Sequence, residues 1–205
     1  MSSPRLLYIS GEPGIGKSTL MRDATSVWER IHLPAEPGRT PHRDLLFHRA
    51  HPGVCCAVEL GRLRDTLSGT DALPANCITD AEAWLRSGQA ARESALILAE
   101  GARLANQRFL TAALESGYHV QLLHLQGTSL AAHRRSYRAR IHGCDEQNPS
   151  RVKGRRTAAA DLALHAPQWG VEVLLVDATR LDDLGYRDTI LNTIRYGWAS
   201  NLTPD

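Results

Sequence analysis

The sequence predicts an α/β fold, a parallel β-sheet flanked by helices on both faces. Three observations carry that expectation. Short apolar runs of strand length recur at Leu6–Ser10, Ala95–Ala99, Tyr118–Leu125 and Val171–Val176, as buried parallel strands require. Segments of helical periodicity separate them, the alternation that builds such a sheet. A glycine-rich turn joins the first strand directly to the first helix. At 205 residues the chain is long enough for one domain of this kind and too short for two full-sized ones.

The elements follow in order. Lys17–Arg30 reads as a helix with Leu20, Met21, Ala24, Val27 and Trp28 on one face. Ile31–Arg43 is rich in Pro, Gly and mixed charge and reads as a loop. Leu45–His48 and Val54–Leu60 suggest two strands around His51-Pro52-Gly53, and Ser68–Asp71 a turn. Thr79–Arg86 reads as a helix opened by a Thr79/Glu82 capping box and stopped by Gly88. The strand Ala95–Ala99 ends at Glu100-Gly101, and the helix Asn106–Ser116 turns Phe109, Leu110, Ala113 and Leu114 inward. After the third strand come a basic helix, Ser129–Ile141, a polar loop, His142–Ser150, and a helix at Ala158–Ala166. The fourth strand and a helix at Leu181–Trp198 close the order.

Composition narrows the class. Hydrophobic residues make up 42% and charged residues 22%, which fits neither a disordered tail nor a membrane protein. No apolar run approaches the ~18–20 residues of a transmembrane helix, and the N-terminal segment lacks the features of a signal peptide. Cys55, Cys56, Cys77 and Cys144 form no C-x-x-C, so neither zinc nor a disulfide framework is suggested and a reduced, cytoplasmic protein is expected. The net charge of +2 conceals a polarity. Between His133 and Arg156, eight Lys/Arg face only Asp145 and Glu146, a local charge of +6 against −4 for the remainder. One basic segment on a nearly neutral body suggests a local anionic ligand.

Gly11-Glu12-Pro13-Gly14-Ile15-Gly16-Lys17-Ser18 matches G-x-x-x-x-G-K-[ST] without departure, after a strand and opening a helix as the motif requires. Glycines let the backbone wrap a phosphate with several N–H groups pointing inward, and the helix N-terminus adds partial positive charge. Gly11 to Thr19 are therefore the expected nucleotide-binding residues, with Lys17 reaching the β- and γ-phosphates and Ser18 supporting Mg²⁺. Glu100, at the carboxyl end of a strand, is the expected acidic partner of the metal, where α/β sheets place ligands. Asp177, ending the last strand, reads instead as a turn residue.

A GTPase would carry N-K-x-D, which is absent, and the D-x-x-G at Asp182 lies too late in the chain. A small-molecule or nucleotide kinase fits the length and gives the basic segment a purpose. Arginines on a mobile flap neutralise the transferring phosphoryl group while excluding water. Arg134, Arg138, Arg151, Arg155 and Arg156 lie where such a lid would sit. The order of parts resembles the P-loop kinases of the adenylate/thymidylate kinase type, from about Leu6 to Thr179. That resemblance implies a single P-loop NTPase domain, 1–205, with an acceptor-binding insertion at about 36–88 and a lid at about 129–156.

Four local strings, Glu59–Arg64, Ser68–Leu73, Ala99–Asn106 and Gln147–Arg155, resemble phage-type P-loop kinases, some of which are 5-hydroxymethyluridine DNA kinases. That resemblance implies ATP and Mg²⁺ as cofactors, DNA containing 5-hydroxymethyluridine as acceptor, and host cytoplasm as the location if the protein is phage-encoded. The Asp-Arg pair of thymidylate kinases is missing; Glu59 and Asp71 stand in the acceptor region instead. Asp71 is the expected group that aligns the acceptor hydroxyl and takes its proton. Arg151 and Arg155 are the expected catalytic lid arginines, and Glu59, Arg62, Arg64 and Arg103 the remaining acceptor-binding candidates. A buried Glu59 would need Arg62, Arg64 or a substrate group as partner. Two alternatives stay open: a kinase of free nucleotides or another small molecule, and a binding module that uses nucleotide as a switch.

Overall fold

The computed structural model describes residues 4–61, 69–142 and 149–196. Seven strands form one sheet: β1 (Arg5–Gly11), β2 (Trp28–Leu33), β3 (Arg43–His48), β4 (His51–Leu60), β5 (Leu96–Glu100), β6 (His119–Gln126) and β7 (Glu172–Asp177), in the spatial order β2-β3-β4-β5-β1-β6-β7. Five strands, β4, β5, β1, β6 and β7, are mutually parallel. The sheet is nevertheless mixed, because β3 runs antiparallel to both β2 and β4. The expected parallel sheet holds for those five strands, and the short β3–β4 connection around Arg49 and Ala50 makes β3 and β4 a hairpin, since parallel neighbours need a long crossover.

The helices are α1 (Lys17–Thr25), α2 (Cys77–Arg86), α3 (Gln89–Glu93), α4 (Gln107–Glu115), α5 (Thr128–His142), α6 (Pro149–His165) and α7 (Leu184–Tyr196). Leu20, Met21 and Ala24 of α1 and Ile190, Leu191 and Ile194 of α7 pack with Leu7, Ile9, Leu98 and Leu123 on one face. Helices α2, α4 and α6 cover the other, around Tyr8, Trp84, Ile97, Phe109 and Leu122. Alternation along β1 explains the division, since successive side chains point to opposite faces.

The first helix stops at Thr25, five residues short of the expected Arg30. Thr25 Oγ1 donates back to the Met21 carbonyl, and Arg195 of α7 donates to the carbonyls of Ala24 and Asp23 at 2.8 and 2.9 Å. A side chain thus satisfies orphan carbonyls at the helix end. Trp28 begins β2 instead, in register with β3 from Trp28↔His48 to Leu33↔Arg43. Ile31–Leu33, expected in a loop, are therefore strand, and cross-strand pairing overrides local propensity.

Helix α2 starts at Cys77, and no side chain caps it. The expected capping box is not formed; Glu82 accepts from Arg108 Nε at 2.8 Å instead. Helix α6 begins at Pro149, nine residues before the expected Ala158, so Pro149 and Ser150 of the expected loop are helical and Arg151, Lys153, Arg155 and Arg156 lie on the helix. Trp84 is fully buried, donates to Glu93 at 3.2 Å and lies beneath Arg43, while Arg43 and Glu93 are joined by two 2.7 Å hydrogen bonds. That buried group locks β3 to α2 and α3. Among the described residues, no helix is long and apolar enough to cross a membrane.

Candidate active site

Every parallel strand ends at the same edge, which brings Gly11, Leu60, Glu100, Gln126 and Asp177 to one rim. The phosphate-loop segment spans the gap from β1 to α1. Ile15 is fully buried within the α1 face of the core and anchors the middle of the loop. Gly14 and Gly16 have φ of 85° and 111°, a region side chains disfavour. Each also lies directly beneath an arginine: a Cβ on Gly14 would meet Arg135 Cγ at 2.6 Å, and one on Gly16 would meet Arg134 Nη1 at 2.7 Å. Arg134 donates to the Ile15 carbonyl at 2.7 Å, and Arg135 donates to the Pro13 carbonyl and pairs with buried Glu12 at 3.3 Å. The middle of α5 is thus fastened to the loop through its carbonyls, not through its N–H groups.

Lys17 Nζ donates to the carbonyls of Gly11 and Glu12 at 2.9 and 3.0 Å. Burial pushes its pKa down, against the pull of Glu100 and Asp71, while Arg155 pushes the same way as burial. A desolvated ammonium beside carbonyl oxygens is poised for an anion that offers better compensation. Ser18 Oγ donates to Glu100 Oε1 at 3.0 Å. One hydroxyl and one carboxylate, both hard oxygen donors, are the protein share Mg²⁺ usually takes, with water and phosphate oxygens completing its octahedron. The donor set fits that ion. No group of three His, Cys, Asp or Glu side chains suited to a metal occurs among the described residues. Asp177 instead caps its own turn, accepting from Thr179 N and Oγ1 at 2.9 and 2.6 Å.

Asp71 lies in the 3-10 turn Gly69–Ala72, and its Oδ1 accepts from Ala102 N at 2.9 Å. Its Oδ2 is 3.7 Å from Arg155 Nη1 of α6, so residues 84 positions apart meet at the rim. Arg103 Nε donates to the Asp71 carbonyl at 3.4 Å. Lys17, Ser18, Glu100, Asp71, Arg103 and Arg155 are therefore gathered in one place. Arg151, Lys153 and Arg156 are exposed on α6. Arg62 and Arg64 lie outside the described residues, as do Ser68, Cys144, Trp198, most of the loop expected at His142–Ser150 and the side chain of Arg138.

Glu59, near the end of β4, is buried and accepts from Arg30 Nη2 at 2.9 Å. Its partner among the described residues is this β2 arginine, which also donates to Asp44 at 2.5 Å and to Thr25 Oγ1 at 3.0 Å. His32 Nδ1 joins Asp44 at 2.6 Å. Burial pushes the Glu59 carboxyl up to about 7, although Arg30 pulls the other way. Two carboxylates share one guanidinium, and that arrangement retains a proton easily near neutrality.

A cavity of about 230 Å³ lies on the α1 side of the loop, lined by Gly16, Thr19, Leu20, Arg134, Leu181 and Asp182. It adjoins the helix N-terminus where phosphates would sit and has room for a nucleobase. A wider groove of about 610 Å³ between α2 and α4 is lined by Ile78, Asn106 and the paired Glu82 and Arg108. No phosphate-loop residue reaches it.

Sequence reasoning passed over Tyr8, Ser10, Arg30, Asp44 and His124. The available signal was a polar tip inside an aliphatic strand, Tyr8 in Leu-Leu-Tyr-Ile and His124 in Leu-Leu-His-Leu. His124 Nδ1 is 2.9 Å from Ser10 Oγ, immediately before the loop. Burial and the nearby Lys17 push the imidazole pKa down. The folded state therefore binds that proton less readily than the unfolded state, and stability is lost as pH falls from the ordinary imidazole range, about 6.5, toward the lowered value. We expect urea midpoints to decline between pH 7.5 and 5.5, and His124→Gln to flatten that decline. A variant profile parallel to the wild type would show that His124 does not carry it.

A family model described as P-loop Nucleotide Kinase3 matches residues 2–182. No curated protein gives a significant match to the chain.

Proposed function

The chain belongs to the P-loop Nucleotide Kinase3 family and is an ATP-dependent phosphotransferase; from that premise we propose that its acceptor is the hydroxymethyl group of 5-hydroxymethyluracil in DNA. The observation that carries the proposal is the meeting of Asp71 with α6. Arg155 reaches the carboxylate, and Arg151, one helical turn before it, is exposed together with Lys153 and Arg156. An acceptor carboxylate beside a helix that exposes several basic side chains suits a substrate whose reactive group sits on a long polyanion. A small acceptor needs no such approach. The local strings that resemble phage-type P-loop kinases, some of which are 5-hydroxymethyluridine DNA kinases, support the same choice.

In this reading the loop N–H groups and Lys17 hold the β- and γ-phosphates, Lys17 exchanging its two carbonyl partners for phosphate oxygens. The 230 Å³ cavity takes the donor base, with Arg134 as one wall. Ser18 and Glu100 would hold Mg²⁺, which neutralises charge on the phosphate oxygens when bound. Asp71 accepts a hydrogen bond from the acceptor hydroxyl and takes its proton as the new O–P bond forms. The bond from γ-phosphorus to the bridging oxygen breaks, and ADP leaves with that electron pair. Arg155, released from Asp71, faces the charge developing on the transferring group.

The test compares initial rates on a duplex bearing 5-hydroxymethyluracil and on free hydroxymethyl-dUMP as salt is raised. Rates on the duplex at subsaturating concentration are expected to fall steeply, because each phosphate neutralised releases counterions. Arg151→Ala and Lys153→Ala should each shallow that slope. Phosphorylation of the free nucleotide alone would leave the kinase standing and overturn the DNA acceptor.

A further inference from the structure

We infer that Tyr8 is a positioning residue whose hydroxyl fixes the acceptor carboxylate, Asp71, relative to the metal-binding carboxylate, Glu100. The inference rests on the roles proposed above for those two groups. Tyr8 lies on β1, three residues before the phosphate loop, and its side chain is fully buried. Its hydroxyl is 3.2 Å from the Gly101 carbonyl and 3.1 Å from Thr70 Oγ1. A carbonyl only accepts, so Tyr8 donates to Gly101, and the Thr70 hydroxyl, itself fully buried, donates to Tyr8. Gly101 follows Glu100 directly, and Thr70 precedes Asp71 directly. One oxygen, carried by the strand that feeds the phosphate loop, thus joins the two turns that bear the carboxylates.

The seam between those turns is close along its length. Ala102 N donates to Asp71 Oδ1 at 2.9 Å, and Arg103 Nε to the Asp71 carbonyl at 3.4 Å. A Cβ on Gly101 would meet Thr70 Oγ1 at 2.7 Å and Asp71 N at 3.1 Å, and one on Gly69 would strike the Glu100 carboxylate. The ring of Tyr8 is held independently, edge-on to Phe109 with centroids 6.3 Å apart. Tyr8→Phe therefore removes the hydroxyl and keeps the packing. The consequence falls on transfer to the acceptor, because a misplacement of about 1 Å in a positioned group costs on the order of a hundredfold in rate. Hydrolysis of ATP by water needs no acceptor carboxylate at a fixed spacing and is affected less.

The readout is the ratio of phosphoryl transfer to ATP hydrolysis, measured with ATP and the 5-hydroxymethyluracil duplex, or with free hydroxymethyl-dUMP if only that takes label. Tyr8→Phe and Thr70→Val are each expected to lower the ratio about tenfold, with ATP affinity unchanged. Thr70→Ser, which keeps the hydroxyl, restores it, and Gly101→Ala lowers it from the other side of the seam. A merely structural tyrosine would lower transfer and hydrolysis together, in proportion to the folded fraction; an unchanged ratio in Tyr8→Phe overturns the inference. Asp71→Asn, assayed alongside, separates the two failures. If Asp71→Asn is impaired and Tyr8→Phe is not, only the coupling falls. If Asp71→Asn transfers normally, or the wild type labels neither acceptor, the acceptor reading falls and the coupling with it.

Discussion

Lys17→Ala is expected to lose phosphoryl transfer by about a thousandfold, the upper range for removing one preorganised donor from a site of developing charge. The ammonium is buried and held by the carbonyls of Gly11 and Glu12, with Glu100 and Asp71 acting on it electrostatically. Nothing else in the loop brings a full positive charge to that position from within α1. The fold should survive, because α1 is held by Leu20, Met21, Ala24 and Thr25, all buried, and by Arg195 at its end. Circular dichroism and a thermal melt close to those of the wild type would establish survival. Retained turnover in the folded variant would remove Lys17 from the phosphate site.

Asp71→Asn is expected to lower kcat by about 10²–10⁴-fold, the range general-base catalysis contributes, while ATP affinity stays as it is. Asn keeps an oxygen able to accept from Ala102 N, so the 2.9 Å contact and the turn persist. What it loses is the negative charge facing Arg155 and the capacity to take a proton. Isothermal titration with ATP alongside steady-state transfer separates binding from chemistry. Unchanged acceptor turnover would make Asp71 a turn residue only.

The parts of the site that could be read in the chain are those whose chemistry is local. Gly11–Ser18 and the strand-end Glu100 announce themselves because a phosphate cradle and a strand terminus are properties of adjacent residues. The meeting of Asp71 with Arg155 was not legible as a contact, since it joins a turn to a helix 84 positions away and follows from packing alone. Arg30 was misread for a related reason. Trp28 continues the apolar spacing of α1, and only the ladder with β3 shows that the chain has already become strand. A usable signal was overlooked at Pro149, a favoured first residue of a helix, which would have placed Arg151 and Arg155 on α6. Tyr8 and His124 were hidden by their neighbours, because aliphatic runs read as core whatever polar tip they carry. The antiparallel β3 is the fold-level counterpart: its hairpin was readable, and its place in the main sheet was set by pairing between distant segments.

The measurement that tests the account most directly is the site of phosphate addition. Duplex DNA containing 5-hydroxymethyluracil is incubated with the protein, Mg²⁺ and γ-labelled ATP, digested by nuclease to nucleoside monophosphates without phosphatase treatment, and resolved by mass. The account predicts one new product, the pyrimidine carrying a phosphomonoester on its hydroxymethyl oxygen, formed by the wild type and at least about a hundredfold more slowly by Lys17→Ala and Asp71→Asn. Label confined to free nucleotides, or to strand ends irrespective of the modified base, would contradict it.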